Sequence, residues 1–185
     1  MKMWLETLRA DTRRYSGIDS ASLLTIFWKA THTPGILASI ILRTQEAMYR
    51  RRRYTVAHVL RNVGVVMVGA DFVPGCRVGP GLLIHHPVGV VLGGSVKIGA
   101  HATLLQHVTL GERYTDGRAH GSPTLADGVT VSVCTSILGG VTVGRGATIG
   151  AHSLVLHDVP DGATAVGAPA RLITSGAAER GTSRG

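Results

Sequence analysis

Aromatic side chains are scarce in this chain, at 4% of 185 residues, and Asp and Glu together number only 11 against 19 Lys and Arg. Too few rings are present to build a core on them. The Gly-rich part does not interleave aromatics with basic residues, which argues against single-stranded nucleic acid, whose bases need stacking platforms. Cysteine is limited to Cys76 and Cys134, far apart and matching neither disulfide nor zinc spacing, which fits a reducing cytoplasm. No long apolar run occurs. The stretch from Ile36 to Ile41 is too short to cross a bilayer, and Met1-Lys2-Met3-Trp4-Leu5-Glu6 mixes charge into its apolar residues, so a signal-peptide core is missing.

Glycine is abundant instead, at 25 residues, while 44% of the chain is still hydrophobic. That balance suits small stacked units. The length allows one ordinary domain with a sizeable core. Much of the net charge of +8 comes from Arg13, Arg14, the run Arg50 to Arg53 and the tail, and a nucleotide-bearing small molecule fits it better than a nucleic acid. The arginine run itself reads first as a solvated helix end, with membrane-surface or cofactor-phosphate contact as the other readings.

Within residues 1–68, apolar positions recur at helical spacing: Trp4, Leu5 and Leu8, then Leu23, Leu24, Phe27 and Trp28, then Ile36, Leu37, Ile40 and Ile41. Several short helices are expected. Asp19 and Ser20 read as the cap of the second, and Thr33-Pro34 opens the third, with proline in the first turn where its missing N–H costs nothing.

From about residue 72 the period changes to six: Phe72, Val78 and Ile84; Leu92, Ile98, Leu104 and Leu110; then Leu125, Val131, Ile137, Val143, Ile149 and Val155. Four places after most of these stands another small or apolar residue, such as Leu82, Ala102, Val129 or Ser153. Six is the period of neither a helix nor a simple strand. Three hexads make one triangular coil, and because a coil cannot bury its own apolar face, coils must stack. About five coils are expected.

Two places break the count. The step from Ile84 to Leu92 is eight, beside His85-His86-Pro87-Val88-Gly89, and between Leu110 and Leu125 stand the fourteen residues 111–124, which read as an extruded loop. Stacking requires neither interruption, so function is sought there.

The hexads, the segment Ile84-His85-His86-Pro87-Val88-Gly89-Val90-Val91-Leu92-Gly93, then Leu105-Gln106-His107-Val108-Thr109-Leu110-Gly111 and the closing Gly167-Ala168-Pro169-Ala170-Arg171 together resemble the serine O-acetyltransferase branch of the left-handed β-helix acyltransferases, from roughly Thr33 to Ile173. The resemblance implies a mainly β fold, a left-handed parallel β-helix with a small N-terminal α-helical region. It implies His86 as general base, since imidazole as a class titrates near neutrality and can take a hydroxyl proton. It implies Asp71, fifteen positions earlier, as the carboxylate that orients the ring. Arg118 and His120 match an Arg-His pair that holds the acceptor or the oxyanion, although an extra residue separates them here. Asp19 matches a second acceptor-binding Asp across a one-residue gap, with a helix cap as its other reading. Gly111, Val133 and Ala151 fall on the pantetheine groove, and Arg171 on its nucleotide end.

His85 departs from the family, which places there an Asp that helps hold the ammonium of serine. A neutral imidazole does not replace a buried counter-ion, which argues against free serine as acceptor. The resulting expectation is an acyl-CoA-dependent, most simply acetyl-CoA-dependent, O-acyltransferase on a small, amino-acid-like hydroxyl acceptor. A sugar or natural-product acceptor and a non-catalytic scaffold are the alternatives. The resemblance implies a homotrimer with sites between subunits; neither metal, nucleic acid nor membrane is expected as partner. The expected parts are 1–68 (helical), 69–173 (β-helix, with the loop 111–124) and 174–185 (disordered tail).

Overall fold

The computed structural model describes residues 2–17 and 22–173. The readings of Asp19 and of the tail 174–185 lie outside the described residues. Four helices come first: α1 (Lys2–Ser16), α2 (Leu23–Ala30), α3 (Pro34–Arg50) and α4 (Tyr54–Val68). The N-cap of α2 is Ser22, whose side chain accepts from the Thr25 N–H, in place of the expected Asp19-Ser20 pair. Thr33 is the N-cap of α3 and Pro34 opens its first turn. At 17 residues α3 is longer than the short helices read from its apolar spacing.

The strands then follow in coils. The first holds β1 (Asp71–Phe72), β2 (Arg77–Val78) and β3 (Leu83–Ile84); the second holds β4 (Val91–Leu92), β5 (Lys97–Ile98) and β6 (Thr103–Leu104). The third starts with β7 (Thr109–Gly111), leaves the body as the antiparallel hairpin β8 (Tyr114–Thr115) and β9 (Arg118–Ala119), and resumes with β10 (Thr124–Leu125) and β11 (Thr130–Val131). Then come β12 (Ser136–Leu138), β13 (Thr142–Val143) and β14 (Thr148–Ile149), and finally β15 (Leu154–Val155), β16 (Thr164–Val166) and β17 (Arg171–Ile173).

Apart from the antiparallel pairs β8–β9 and β16–β17, strands pair with their equivalents one coil away, giving three parallel faces. The first face is β1-β4-β7-β12-β15, the second β2-β5-β10-β13 and the third β3-β6-β11-β14-β16, on which β17 closes antiparallel. The six-residue period is the side-chain consequence. Phe72, Ile84, Leu92, Leu104, Leu110, Val131, Ile137 and Ile149 point inward and are at most 1% exposed, and the corner residues Leu82, Ala102 and Val129 are fully buried. Stacked register fills the interior almost entirely with aliphatic side chains, Phe72 being the one ring among these inward residues.

A first coil has no coil before it, so its strands would show unpaired backbone groups. The helices supply the missing partners. On the first face, Gln45 Nε2 donates to Phe72 O (2.6 Å). On the second, the Val78 N–H donates to Glu46 Oε1 (3.0 Å), while Arg43 donates to Val78 O and Gly79 O. At the next corner Asp11 Oδ1 accepts from Leu82 N. On the third face Tyr15 Oη donates to Ile84 O (2.9 Å) and accepts from Ile84 N (2.8 Å). Arg43 is only 2% exposed and is matched by the fully buried Asp11 and by Glu46, so its charge is not left alone in the interior. Among the described residues, no helix is long and apolar enough to cross a membrane.

Candidate active site

The histidine pair sits at the corner between the third and first faces, directly after β3, where the two extra residues push the chain outward. This corner is fixed from both ends of the prism. Below, the His85 N–H donates to Leu104 O, the His107 N–H donates to Val88 O, and Val90 N closes a turn onto Pro87 O. Above, the Gly89 N–H donates to Gly69 O at the end of α4, and Tyr15 holds the preceding residue, Ile84. Gly89 takes a φ of 72°, and the His107 ring covers it, so that a Cβ there would collide with His107 Nδ1. Glycine is required by both conformation and space. Gly35, at the start of α3, packs so closely over the same strand that a Cβ would run into Ile84 O and lie 2.6 Å from Tyr15 Oη.

On this rigid corner both His85 and His86 are exposed. Among the described residues, no side chain is hydrogen-bonded to the His86 imidazole, which leaves its ring nitrogens open to a substrate hydroxyl. One coil below, the buried Gln106 Oε1 has no hydrogen-bond partner among the described residues.

Asp71 begins β1, on the face that the corner turns into, with Phe72 inside and the carboxylate outside. Its partner was not legible in the sequence. Arg61, on α4, donates from Nε to Oδ1 (2.5 Å) and from Nη2 to Oδ2 (2.7 Å). This bond to Asp71 pushes the Arg61 guanidinium further above its ordinary value. A carboxylate offers about four lone-pair sites, and a bidentate arginine takes one on each oxygen, so accepting capacity remains. A cue in sequence is weak: Arg61 is a single charge in a Val-rich helix, ten places before Asp71.

The other expected residues separate into two regions. Arg118 and His120 belong to the excursion between β7 and β10, at the corner of the first and second faces, so within one chain they are on a different edge from His86. His120 lines a cavity of about 480 Å³ with Arg113, Leu138, His157 and Asp158. Gly111 ends β7 at that same corner. Val133 and Ala151, by contrast, lie on the His86 edge one coil apart, where the His152 N–H donates to Val133 O. Arg171 is exposed on β17. The left-handed positions down this edge are held by His107, Cys134 and His152, each at a φ of 56°. Among the described residues, no three His, Cys, Asp or Glu side chains are grouped so as to hold a metal ion.

No protein-family model matches the chain. It is 40% identical over 142 residues to the serine acetyltransferase of Helicobacter pylori strain J99, covering 76% of this chain and 82% of that protein. It is likewise 40% identical over 132 residues to the serine acetyltransferase of Bacillus licheniformis, covering 71% of this chain but only 60% of that longer protein. Among solved structures, Neisseria gonorrhoeae serine acetyltransferase superposes with a TM-score of 0.83 at 31% identity, over 94% of this chain and 67% of that one. Soybean serine acetyltransferase complexed with serine gives 0.82 at 32%, over 94% and 70%. A serine acetyltransferase in complex with CoA gives 0.79 at 28%, over 93% and 70%. The prism therefore has the left-handed β-helix fold of these enzymes, and the chain belongs to the serine acetyltransferase family of acyltransferases.

Proposed function

We propose that this protein transfers an acetyl group from acetyl-CoA to the hydroxyl of serine or of a closely similar small acceptor. The observation that carries this reading is the His86 corner, an exposed imidazole on a backbone held by α1, α4 and the second coil. His86 takes the proton of the acceptor hydroxyl as its oxygen attacks the thioester carbonyl. The tetrahedral oxyanion then collapses, the C–S bond breaks, and the imidazolium returns the proton to the departing CoA sulfur. Asp71, anchored by Arg61, supplies the negative charge that steadies the imidazolium.

The donor lies along the His86 edge past Val133 and Ala151 toward Arg171, which places the thioester end at the histidine. Arg118 and His120 act on a neighbouring subunit, because their own hairpin leaves the prism at a different corner. A homotrimer with sites between subunits provides that arrangement. The relatives solved with serine and with CoA support both ligands. The free cysteines, Cys76 and Cys134, fit a reducing cytoplasm.

His85 favours a second acceptor reading, a hydroxyl compound without an ammonium group. The test is CoA release from acetyl-CoA in the presence of serine, homoserine, hydroxy acids and sugars, with His86→Ala as control. Release with serine, abolished in the variant, supports the first reading. Release only with acceptors lacking an amine supports the second, and no release with any acceptor overturns both.

A further inference from the structure

On the opposite side of the first coils from His86, α1, the α3–α4 link and the second face enclose a half-open cavity of about 850 Å³. That is the size of a small-molecule site, which runs from about 300 to 1,000 Å³. Arg50, Arg52, Arg77 and Lys97 line it, and among the described residues the cationic group of none of them has an ion-pair or hydrogen-bond partner. The carboxylate on its wall is already spent: Glu46 accepts from Arg43 through one oxygen and from Val78 N through the other.

Two features of this wall are unfavourable as they stand. Arg77 and Lys97 are direct register partners on β2 and β5, so two like charges face outward side by side. Arg52 holds a φ of 59°, the left-handed region in which glycine would be easier. A bound polyanion removes the first cost and gives the second a purpose, because that backbone turn is what brings Arg52 to the cavity. The rim is also aromatic. Tyr49 and Tyr54 stand edge to face with centroids 5.2 Å apart, and Trp4 comes from α1.

From these observations we infer that this cavity binds a nucleotide bearing two or more phosphates, with the phosphates on the four cations and the base against the aromatic rim. Planar guanidiniums suit phosphate oxygens, and rings suit a base. The site is separate from the donor edge and independent of acyl transfer.

Calorimetry of the full-length protein with ADP, inorganic pyrophosphate and adenosine tests it. ADP and pyrophosphate should bind at least about ten-fold more tightly than adenosine, the size of one lost charge-assisted bond. CoA, itself a nucleotide with more than two phosphates, is expected to compete with ADP, so a cavity variant rather than saturation with CoA separates this site from the donor edge. The double variant Arg52→Gly, Arg77→Gln should lose about ten-fold in ADP affinity with an unchanged or raised melting temperature, because glycine fits the left-handed turn. In a Trp28→Phe background Trp4 is the only indole, and ADP should change its fluorescence. Absence of ADP binding at millimolar concentration, or full affinity in the folded double variant, would each overturn the inference.

Discussion

Arg61 and Asp71 form a two-bonded ion pair across the junction of α4 and β1, at 2.5 and 2.7 Å, with both side chains about one-third exposed. Its effect on stability is small, since exposed pairs contribute about 0–1 kcal/mol. In the proposed mechanism the pair fixes the carboxylate that orients the His86 ring, so Arg61→Ala is expected to lower kcat by roughly ten-fold with the KM for acetyl-CoA little changed. An unchanged kcat in a folded variant would show that the pair does not position Asp71 for the base.

Tyr15 completes the backbone of Ile84, the residue before the histidine pair, through both its N–H and its C=O. Tyr15→Phe leaves those groups unsatisfied and is expected to cost roughly 1–3 kcal/mol in urea unfolding. Turnover falls in the same variant because the corner loosens. Gly35→Ala is the harsher change, since its Cβ meets backbone rather than a flexible side chain, and a lowered melting temperature measured by circular dichroism checks it.

Burial pushes the Cys76 thiol up to about 12 and the Tyr15 hydroxyl to about 12 as well. Both are raised above their unfolded values of 9.0 and 10.0, so their contribution to stability is complete below pH 9 and is lost as pH rises toward 12. Cys76 alone is expected to take away up to about 1.4 kcal/mol per pH unit in that window. Urea midpoints at pH 8 and above, with Cys76→Ala as comparison, measure it. A flat profile refutes the assignment.

His85→Asp restores a carboxylate beside His86. If serine is a poor acceptor for lack of a counter-ion, the variant lowers its KM by about ten-fold, one charge-assisted bond, and leaves the KM of a neutral hydroxyl acceptor unchanged. Equal effects on both acceptors would remove the charge explanation.

His107, Cys134 and His152 keep left-handed corners that glycine fits without strain. His152→Gly is expected to be neutral or stabilising by up to about 1 kcal/mol, read as an unchanged or raised melting temperature. His107→Gly is not expected to behave the same way, because its ring covers Gly89 on the histidine corner, and activity is expected to fall while stability holds.

The prism was legible because its period is a direct record of burial: every inward residue from Phe72 to Val155 recurs on a count of six, and the count fails only at the two excursions. The histidine corner was legible for the same reason. Arg61 was not, because its relation to Asp71 depends on how α4 enters the first coil, and helical periodicity carries no information about that angle. Asp11, Tyr15 and Gln45 were equally silent. Each is a polar residue on a helix whose partner is a backbone atom 27 to 71 positions away, so nothing in the local sequence marks it.

The contacts from Gln45, Glu46, Arg43, Asp11 and Tyr15 to the first coil also bear on polymerisation. A solenoid whose leading strands are bare is a template onto which another molecule adds end to end, and nothing in the hexads themselves stops such a fibre from growing. Here strand groups on all three faces at that end are already bonded to side chains of the same molecule, so the helices make the array finite. A chain cut before Asp71 would keep its repeats and lose its terminus, and its failure mode would be assembly into filaments rather than simple unfolding.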